Sequence, residues 1–443
     1  MWLLSRLNRP RAVARRERAC IVRPTGDHKF AVGLQRRREQ MRFGRWLHRL
    51  CSVCAPGTCS AVGSVSRVVV FVQENHTTDN YFRGLAPYGA RTVSSWPLGR
   101  NPATSDNPHD RHAYFRWLKS RRTAVRLQFD TAAVLPYYLY LATTGAFFEN
   151  HCSHFGTNST PNHLVSIGGQ SPTLRNPPRG TSPRWDMPSI FGLAAQEGVS
   201  WRAYTPRGRG YPTRFYSQLT GSPHVVASKQ FISDAASGEL PMLAYVWQAA
   251  PESEHPPQDV TKGMNTVWKA VDAVVRTSGW QETVFILTYD DWGGYDDHVR
   301  TPATEYTPDN VQLAFGPRIP LTMFGGQVRP GIDHRWCSLA SVPKTVMQLL
   351  GLPALGVPRV DLDRGLADRI DPNLSVPPPP AYGEPINIPP PPEPPPRPTP
   401  PPPPPHRRPI PVPPVVLRNG RTLPPPHDVK LPRQPAPPAA TRR

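Results

Sequence analysis

Two short runs constrain this chain more than anything else in it. Ser66–Val72 reads Ser-Arg-Val-Val-Val-Phe-Val, and Thr283–Thr288 reads Thr-Val-Phe-Ile-Leu-Thr. Both are rich in β-branched residues and continuously apolar, which is how a strand covered on both faces reads. A strand covered twice needs helices on each side of its sheet, and the chain supplies candidates. In Asn265–Arg276, Val267, Val271, Val274 and Val275 share one helical face, and Gly279 follows as a stop. Ser341–Leu350 opens on a capping Ser and closes at Gly351, and Pro188–Gln196 ends near Gly198. Weaker strand patterns lie at Ile319–Phe324, Ser200–Tyr204 and Leu243–Trp247. Strands alternating with helices predict an α/β fold with a mostly parallel central sheet.

Charge and proline divide the chain into three parts. The net charge is +20 and there are 60 Pro in 443 residues. Residues 1–50 carry +11, residues 371–443 carry +5 with 31 of the Pro, and residues 51–370 carry only +4. We therefore expect a basic, disordered arm (1–60), one domain (61–370) and a Pro-rich, disordered tail (371–443). The near-neutral domain is long enough for a sizeable core. No run of about 18 apolar residues exists, which argues against a membrane-spanning helix. Met1-Trp2-Leu3-Leu4 is followed by Arg6, Arg9 and Arg11 rather than by an apolar stretch, so no export signal is visible. Phe43, Trp46, Leu47 and Leu50 could form one face of a basic amphipathic helix suited to peripheral contact with an anionic membrane. Cys51, Cys54 and Cys59 have one metal-like spacing without a second pair behind it.

Ligands of an open α/β sheet gather beyond the carboxyl ends of its strands. Glu74-Asn75-His76 follows the first strong run, and Asp290-Asp291-Trp292-Gly293-Gly294-Tyr295-Asp296-Asp297-His298 follows the second. Both strands thus deliver carboxylates to one edge, and hard oxygen ligands gathered there suggest one divalent cation. Gly293-Gly294 permits close backbone approach. Ser159 in Ser159-Thr160-Pro161-Asn162-His163 is expected at a helix N-terminus, because Pro161 suits a first helical turn. A helix start favours anions such as phosphate, and a Ser there is a candidate nucleophile as well as a cap. His109, His112, His255 and His298 are candidates for protonating a leaving oxygen or binding phosphoryl oxygens.

These motifs, in this order, resemble the bacterial phosphoesterase family that includes phosphatidylcholine-type phospholipases C and an acid phosphatase. Glu74-Asn75-His76-Thr77-Thr78-Asp79-Asn80-Tyr81-Phe82 is similar to the family's opening block. Gln128-Phe129-Asp130, Ser159 to His163, His255-Pro256-Pro257, Asp290 to His298 and Gly316-Pro317-Arg318-Ile319-Pro320 resemble later ones. The similarity covers roughly residues 66–355. It implies an alkaline-phosphatase-like three-layer sandwich and metal-assisted hydrolysis of phosphate esters, with phospholipid one substrate class. It implies Glu74, Asn75, Asp290 and Asp291 at the metal and Ser159 as nucleophile. His109, His255 and His298 would be catalytic, with His112 the alternative to His109, and Asn75 and Asn162 would bind substrate. Thr78 replaces the family's usual Phe, and Ser159 stands where phospholipases C often have Thr. Family members are typically exported, which this N-terminus does not explain. The competing readings are an acid phosphatase acting on small esters, and a binder of anionic surfaces or nucleic acid through the basic arm. The second is disfavoured because the domain lacks a basic stripe.

Overall fold

The computed structural model describes residues 64–206, 210–306 and 312–393. The basic arm, its amphipathic pattern and the Cys51–Cys59 cluster lie outside the described residues. The strands are β1 (Arg67–Gln73), β2 (Ala146–Cys152), β3 (Trp201–Thr205), β4 (Val225–Ala227) and β5 (Leu243–Trp247), then β6 (Thr283–Tyr289), β7 (Ala303–Tyr306), β8 (Gln312–Ala314), β9 (Leu321–Phe324) and β10 (Gly331–Ser338). The helices used below are α1 (Thr78–Tyr81), α2 (Arg111–Lys119), α3 (Pro136–Thr144), α4 (Ser159–Gly168), α5 (Ile190–Gln196), α6 (Val260–Arg276) and α7 (Ser341–Leu350).

Eight strands form the main sheet in the order β10-β2-β9-β6-β1-β5-β3-β4, and β7 and β8 form a separate hairpin. Only β9 runs against its neighbours β2 and β6; the other pairs are parallel. The mixed, mostly parallel α/β sheet is the one expected. The two strongest runs are β1 and β6, paired side by side at the centre. Their residues alternate between two cores. Val69, Phe71, Phe285 and Leu287 join a cluster with α3 and α6. Val68, Val70, Val284 and Ile286 join a second cluster with α4, α5 and α7. Two apolar layers on one sheet explain why these strands carry no polar face. Ser341 does begin α7, yet the residue before it, Ala340, holds the cap position. The Ser341 hydroxyl donates instead to Asp363 Oδ2 at 3.0 Å.

The chain past residue 370 is where the expected boundary differs most from the structure. Residues 371–389 run as a strap across the domain. Indole N–H groups hold it: Trp280 Nε1 donates to Val376 O at 2.7 Å and Trp268 Nε1 to Pro380 O at 2.8 Å. Gln281 Nε2 donates to Leu374 O at 2.9 Å, and Tyr88 OH donates to Pro389 O at 2.6 Å. Tyr382 meets the Trp268 ring edge-on at 5.2 Å, and Ile386 and Ile388 pack on the first core cluster. Proline leaves carbonyls free of local partners, so indole donors suit such a segment. Truncation after residue 370 should therefore lower the urea midpoint relative to truncation after 393. Each orphaned indole N–H is worth about 1 kcal/mol, and equal midpoints for the two chains would show that the strap contributes nothing.

Candidate active site

The parallel register of β1 and β6 sets the site. Gln73 pairs with Tyr289, so Glu74 and Asp290 leave the sheet as neighbours, and Asp290 N donates to Gln73 O at 3.1 Å. Asn75 then takes a left-handed backbone, φ 68°, and its N–H donates to Asp290 Oδ1 at 3.2 Å. Gly293 fits directly against this turn. It has φ 56°, and a Cβ there would lie 2.1 Å from Asn75 O. Its own N–H donates to Asp291 Oδ1 at 2.8 Å. The Gly-Gly step thus allows the close approach that the sequence pattern implied.

Four strand ends feed the site. The loop after β2 leads to α4, and Ser159 is the first residue of that helix. Its Oγ donates to Asp291 Oδ2 at 3.1 Å. The loop after β5 carries His255, whose Nδ1 donates to Pro256 O at 2.7 Å while Nε2 lies 3.9 Å from Glu74 Oε2. His109 Nδ1 donates to Asn107 O at 2.6 Å, and its Nε2 lies 3.9 Å from Asp291 Oδ2. The Asn75 amide completes the set. With its nitrogen toward Asp290 it donates to Oδ1 at 2.9 Å and Oδ2 at 3.2 Å, and its oxygen accepts from His255 Nε2 at 2.9 Å. Turned the other way, the same amide presents an oxygen to the acids.

Asp290 and Asp291 are fully buried, and among the described residues no Lys or Arg pairs with either. Burial pushes the Asp291 carboxyl well up, and the Asp290 charge adds to the shift. Burial likewise raises Asp290, with Glu74 adding its charge and His163 opposing. Burial would raise Glu74 too, but His163, His255 and His109 bring it below its usual range. Burial lowers His255, but the Glu74 carboxylate, the Pro256 carbonyl and the Asp106 and Asp290 charges together raise the imidazole overall. Buried oxygen donors without a guanidinium or ammonium partner fit a divalent cation. Glu74, Asn75, Asp290 and Asp291 are the residues present to hold one.

Other candidates lie elsewhere. His112 is exposed on α2, and the structure brings His109 to the acids instead. His298 donates from both its backbone N–H and Nδ1 to Asp79 Oδ2, at 2.7 and 2.6 Å. Asp79, Asp297 and His298 form a compact group, but Arg318 already occupies it: Nε reaches Asp297 Oδ1 at 2.8 Å, and a second guanidinium nitrogen reaches Asp79 Oδ1 at 3.4 Å. Asn162, expected at the substrate, uses its amide on the loop before Ser159. Its Oδ1 accepts from Phe155 N at 2.9 Å, and its Nδ2 donates to Phe155 O at 3.1 Å. The helix-start amide of Thr160 donates to Asn176 Oδ1 at 2.8 Å, so it does not face an open anion site.

Sequence reasoning gave no role to two residues here. His163 lies between Glu74 and Asp290, and its place at the end of the block Ser159 to His163 was the signal that could have found it. Glu254 lies beneath the site with φ 68°. It accepts from Tyr81, Tyr138 and Tyr289 hydroxyls and from Gln73 Nε2, at 2.5–2.9 Å. Nothing local in the sequence announces that cage, because its donors come from four separate segments.

Residues 109–353, more than half of the chain, match the Phosphoesterase family. The chain belongs to the phosphoesterase family. Among curated relatives, "Non-specific phospholipase C1" of Arabidopsis thaliana is 26% identical over 255 residues, 49% of this chain and 46% of the relative. "Non-hemolytic phospholipase C" of Burkholderia pseudomallei is 23% identical over 335 residues, 56% of this chain and 47% of the relative. The chain spans about half the length of these relatives. A solved protein of the alkaline phosphatase superfamily from Vibrio parahaemolyticus is 14% identical with a TM-score of 0.38, covering 68% of this chain and 70% of that one. Among the described residues no helix is long and apolar enough to cross a membrane.

Two outcomes follow from this geometry. Gly293→Ala should displace Asn75 and destabilise the fold by about 1–3 kcal/mol, since a non-glycine residue is strained there; a chemical-denaturation midpoint equal to wild type would contradict it. Burial raises Glu254 from about 4.5 to about 7 despite its donors. The folded state therefore holds a proton that the unfolded chain has released, and stability falls as pH rises from about 4.5 to 7. Glu254→Gln should remove a loss on the order of 3 kcal/mol between those limits, read as the difference between mutant and wild-type urea midpoints at pH 5 and 7.

Proposed function

We propose that this chain hydrolyses phosphate esters by double displacement at Ser159, with phospholipids of the phospholipase C type as its substrate class. The observation that carries the reading is the Ser159 hydroxyl 3.1 Å from Asp291 Oδ2, at the edge of the Glu74–Asn75–Asp290–Asp291 cluster. Family membership and relatives named phospholipase C support the substrate class. A divalent cation held by those four residues would supply Lewis acidity, lowering the hydroxyl pKa and offsetting phosphoryl charge.

The chain's own groups divide the remaining work. Ser159 Oγ forms a bond to phosphorus, and Asp291 Oδ2 is the acceptor in place for its proton. The bond from phosphorus to the ester oxygen breaks, and His255 protonates the departing alcohol. His255 suits this because its imidazole is raised and its Nδ1 is fixed on Pro256 O, leaving Nε2 toward the site. His109 Nε2 and the Asn75 amide donate to phosphoryl oxygens. Water then attacks phosphorus and gives its proton to His255, the P–Oγ bond breaks, and Ser159 regains its proton from Asp291. His298 has no part in these steps; through Asp79 it braces the loop that carries the acids.

Ser159→Ala should abolish turnover of both p-nitrophenyl phosphorylcholine and p-nitrophenyl phosphate while leaving the unfolding midpoint within about 0.5 kcal/mol of wild type. Normal turnover in that variant would overturn the mechanism. Wild-type preference for the phosphorylcholine ester supports the phospholipase C assignment. Preference for the monoester would make the chain an acid phosphatase of the same family. Chelator treatment should lower both rates, with restoration on adding back a divalent cation.

A further inference from the structure

The phosphoester reading leaves one buried residue of the site without a task. His163 sits in the second turn of α4, four positions after Ser159, fully buried. Neither ring nitrogen has a hydrogen-bond partner among the described residues. A buried imidazole left this way carries an uncompensated desolvation cost. Its Nε2 lies 3.4 Å from Asp290 Oδ2 and 3.8 Å from Glu74 Oε1. A charge-assisted N–H···O bond closes to about 2.7–2.9 Å, so these contacts are too long for one. They approach the separation of neighbouring ligands on one five-coordinate ion, about 2.8–3.6 Å when each lies about 2.0–2.1 Å from the metal. Packing fixes the ring: Tyr211 meets it edge-on at 5.3 Å and Trp247 at 6.5 Å.

We propose that His163 Nε2 is a ligand of the same cation held by Glu74, Asn75, Asp290 and Asp291. This rests on the phosphoesterase reading for the cation itself and goes beyond it in naming the ion's class. One imidazole nitrogen in an otherwise all-oxygen shell favours Zn²⁺ or Co²⁺ over Mg²⁺ and Ca²⁺. The rival role for His163 is a protonated counter-charge to Glu74 and Asp290, with no bond to the metal.

The test titrates metal-free, full-length chain with Zn²⁺, Co²⁺ or Mg²⁺ alone. It reads affinity by calorimetry and the Co²⁺ visible spectrum, for wild type, His163→Gln and Asp290→Asn. We expect wild type to bind Zn²⁺ about a hundredfold or more tighter than Mg²⁺. His163→Gln should narrow that ratio about tenfold and shift the Co²⁺ band, and Asp290→Asn should lose the ion. An unchanged ratio and band in His163→Gln, with binding lost in Asp290→Asn, overturns the His163 assignment and leaves the cation reading intact. Failure of wild type to bind any of the three ions overturns both. If His163→Gln does not fold, the zinc K-edge spectrum of a His109→Gln/His255→Gln variant decides. Imidazole scattering retained there supports His163 as ligand, and its absence overturns the proposal.

Discussion

Burying two adjacent carboxylates at the end of a central strand is the constraint on which the rest of this structure depends. Asp290 and Asp291 have no exposed surface and no Lys or Arg partner among the described residues. Their cost is met by local dipoles and imidazoles instead: the Asn75 and Gly293 N–H groups, the Ser159 hydroxyl, and three histidine rings. None of these cancels a full charge, which is why burial still drives both carboxyls upward. The unusual backbone at Asn75 and Gly293 exists to bring those donors close enough. A cation bound in an under-neutralised pocket of this kind would stabilise the fold by linkage.

The acidic loop contains a second pair of carboxylates with the opposite treatment. Asp296 accepts from Trp117 Nε1 at 2.6 Å and from Arg126 Nε at 2.7 Å. Asp297 takes a two-point contact from the buried guanidinium of Arg318, which also donates to Arg91 O and Glu149 O. Four acids in eight residues therefore serve two purposes. The first pair has no Lys or Arg partner among the described residues, and the second fastens the loop to α2 and to the segment before β9. Removing Arg318 would strip the guanidinium from two fully buried carboxylates, Asp79 and Asp297, a far larger loss than a surface ion pair represents.

The sheet was legible where its strands are plainly apolar. β1, β5 and β6 appear within a residue of where the β-branched runs put them, and the acids following β1 and β6 do share an edge. β2 was not legible, because Glu149, Asn150 and His151 interrupt its apolar pattern. Those side chains are buried only because distant partners meet them. Arg91 and His334 satisfy Glu149, and His151 Nδ1 lies 3.3 Å from Ile319 O. A tertiary partner that far away leaves no local trace. The strap was hidden differently: its prolines read as a spacer, while the indoles that grip it sit on α6 and just before β6. In the site, the acids and Ser159 could be read from strand ends and a helix start. The Glu254 cage could not, since it exists only once four segments have met.

The histidines show how the fold assigns roles that residue type alone leaves open. What separates them is the partner of Nδ1. In His109 and His255 that nitrogen donates to a nearby backbone carbonyl, which fixes the tautomer and aims Nε2 at the acids. In His298 it is taken by Asp79, turning the ring away from the acids and into the loop clamp. In His163 it has no partner among the described residues, and two aromatic rings set the plane instead. An imidazole anchored on a carbonyl can exchange a proton at Nε2 without changing its orientation, which suits acid–base work. One held by packing alone, against two carboxylates, is suited to donating a lone pair. The division of labour among these rings follows from a single hydrogen bond in each, made or missing on the side away from the chemistry.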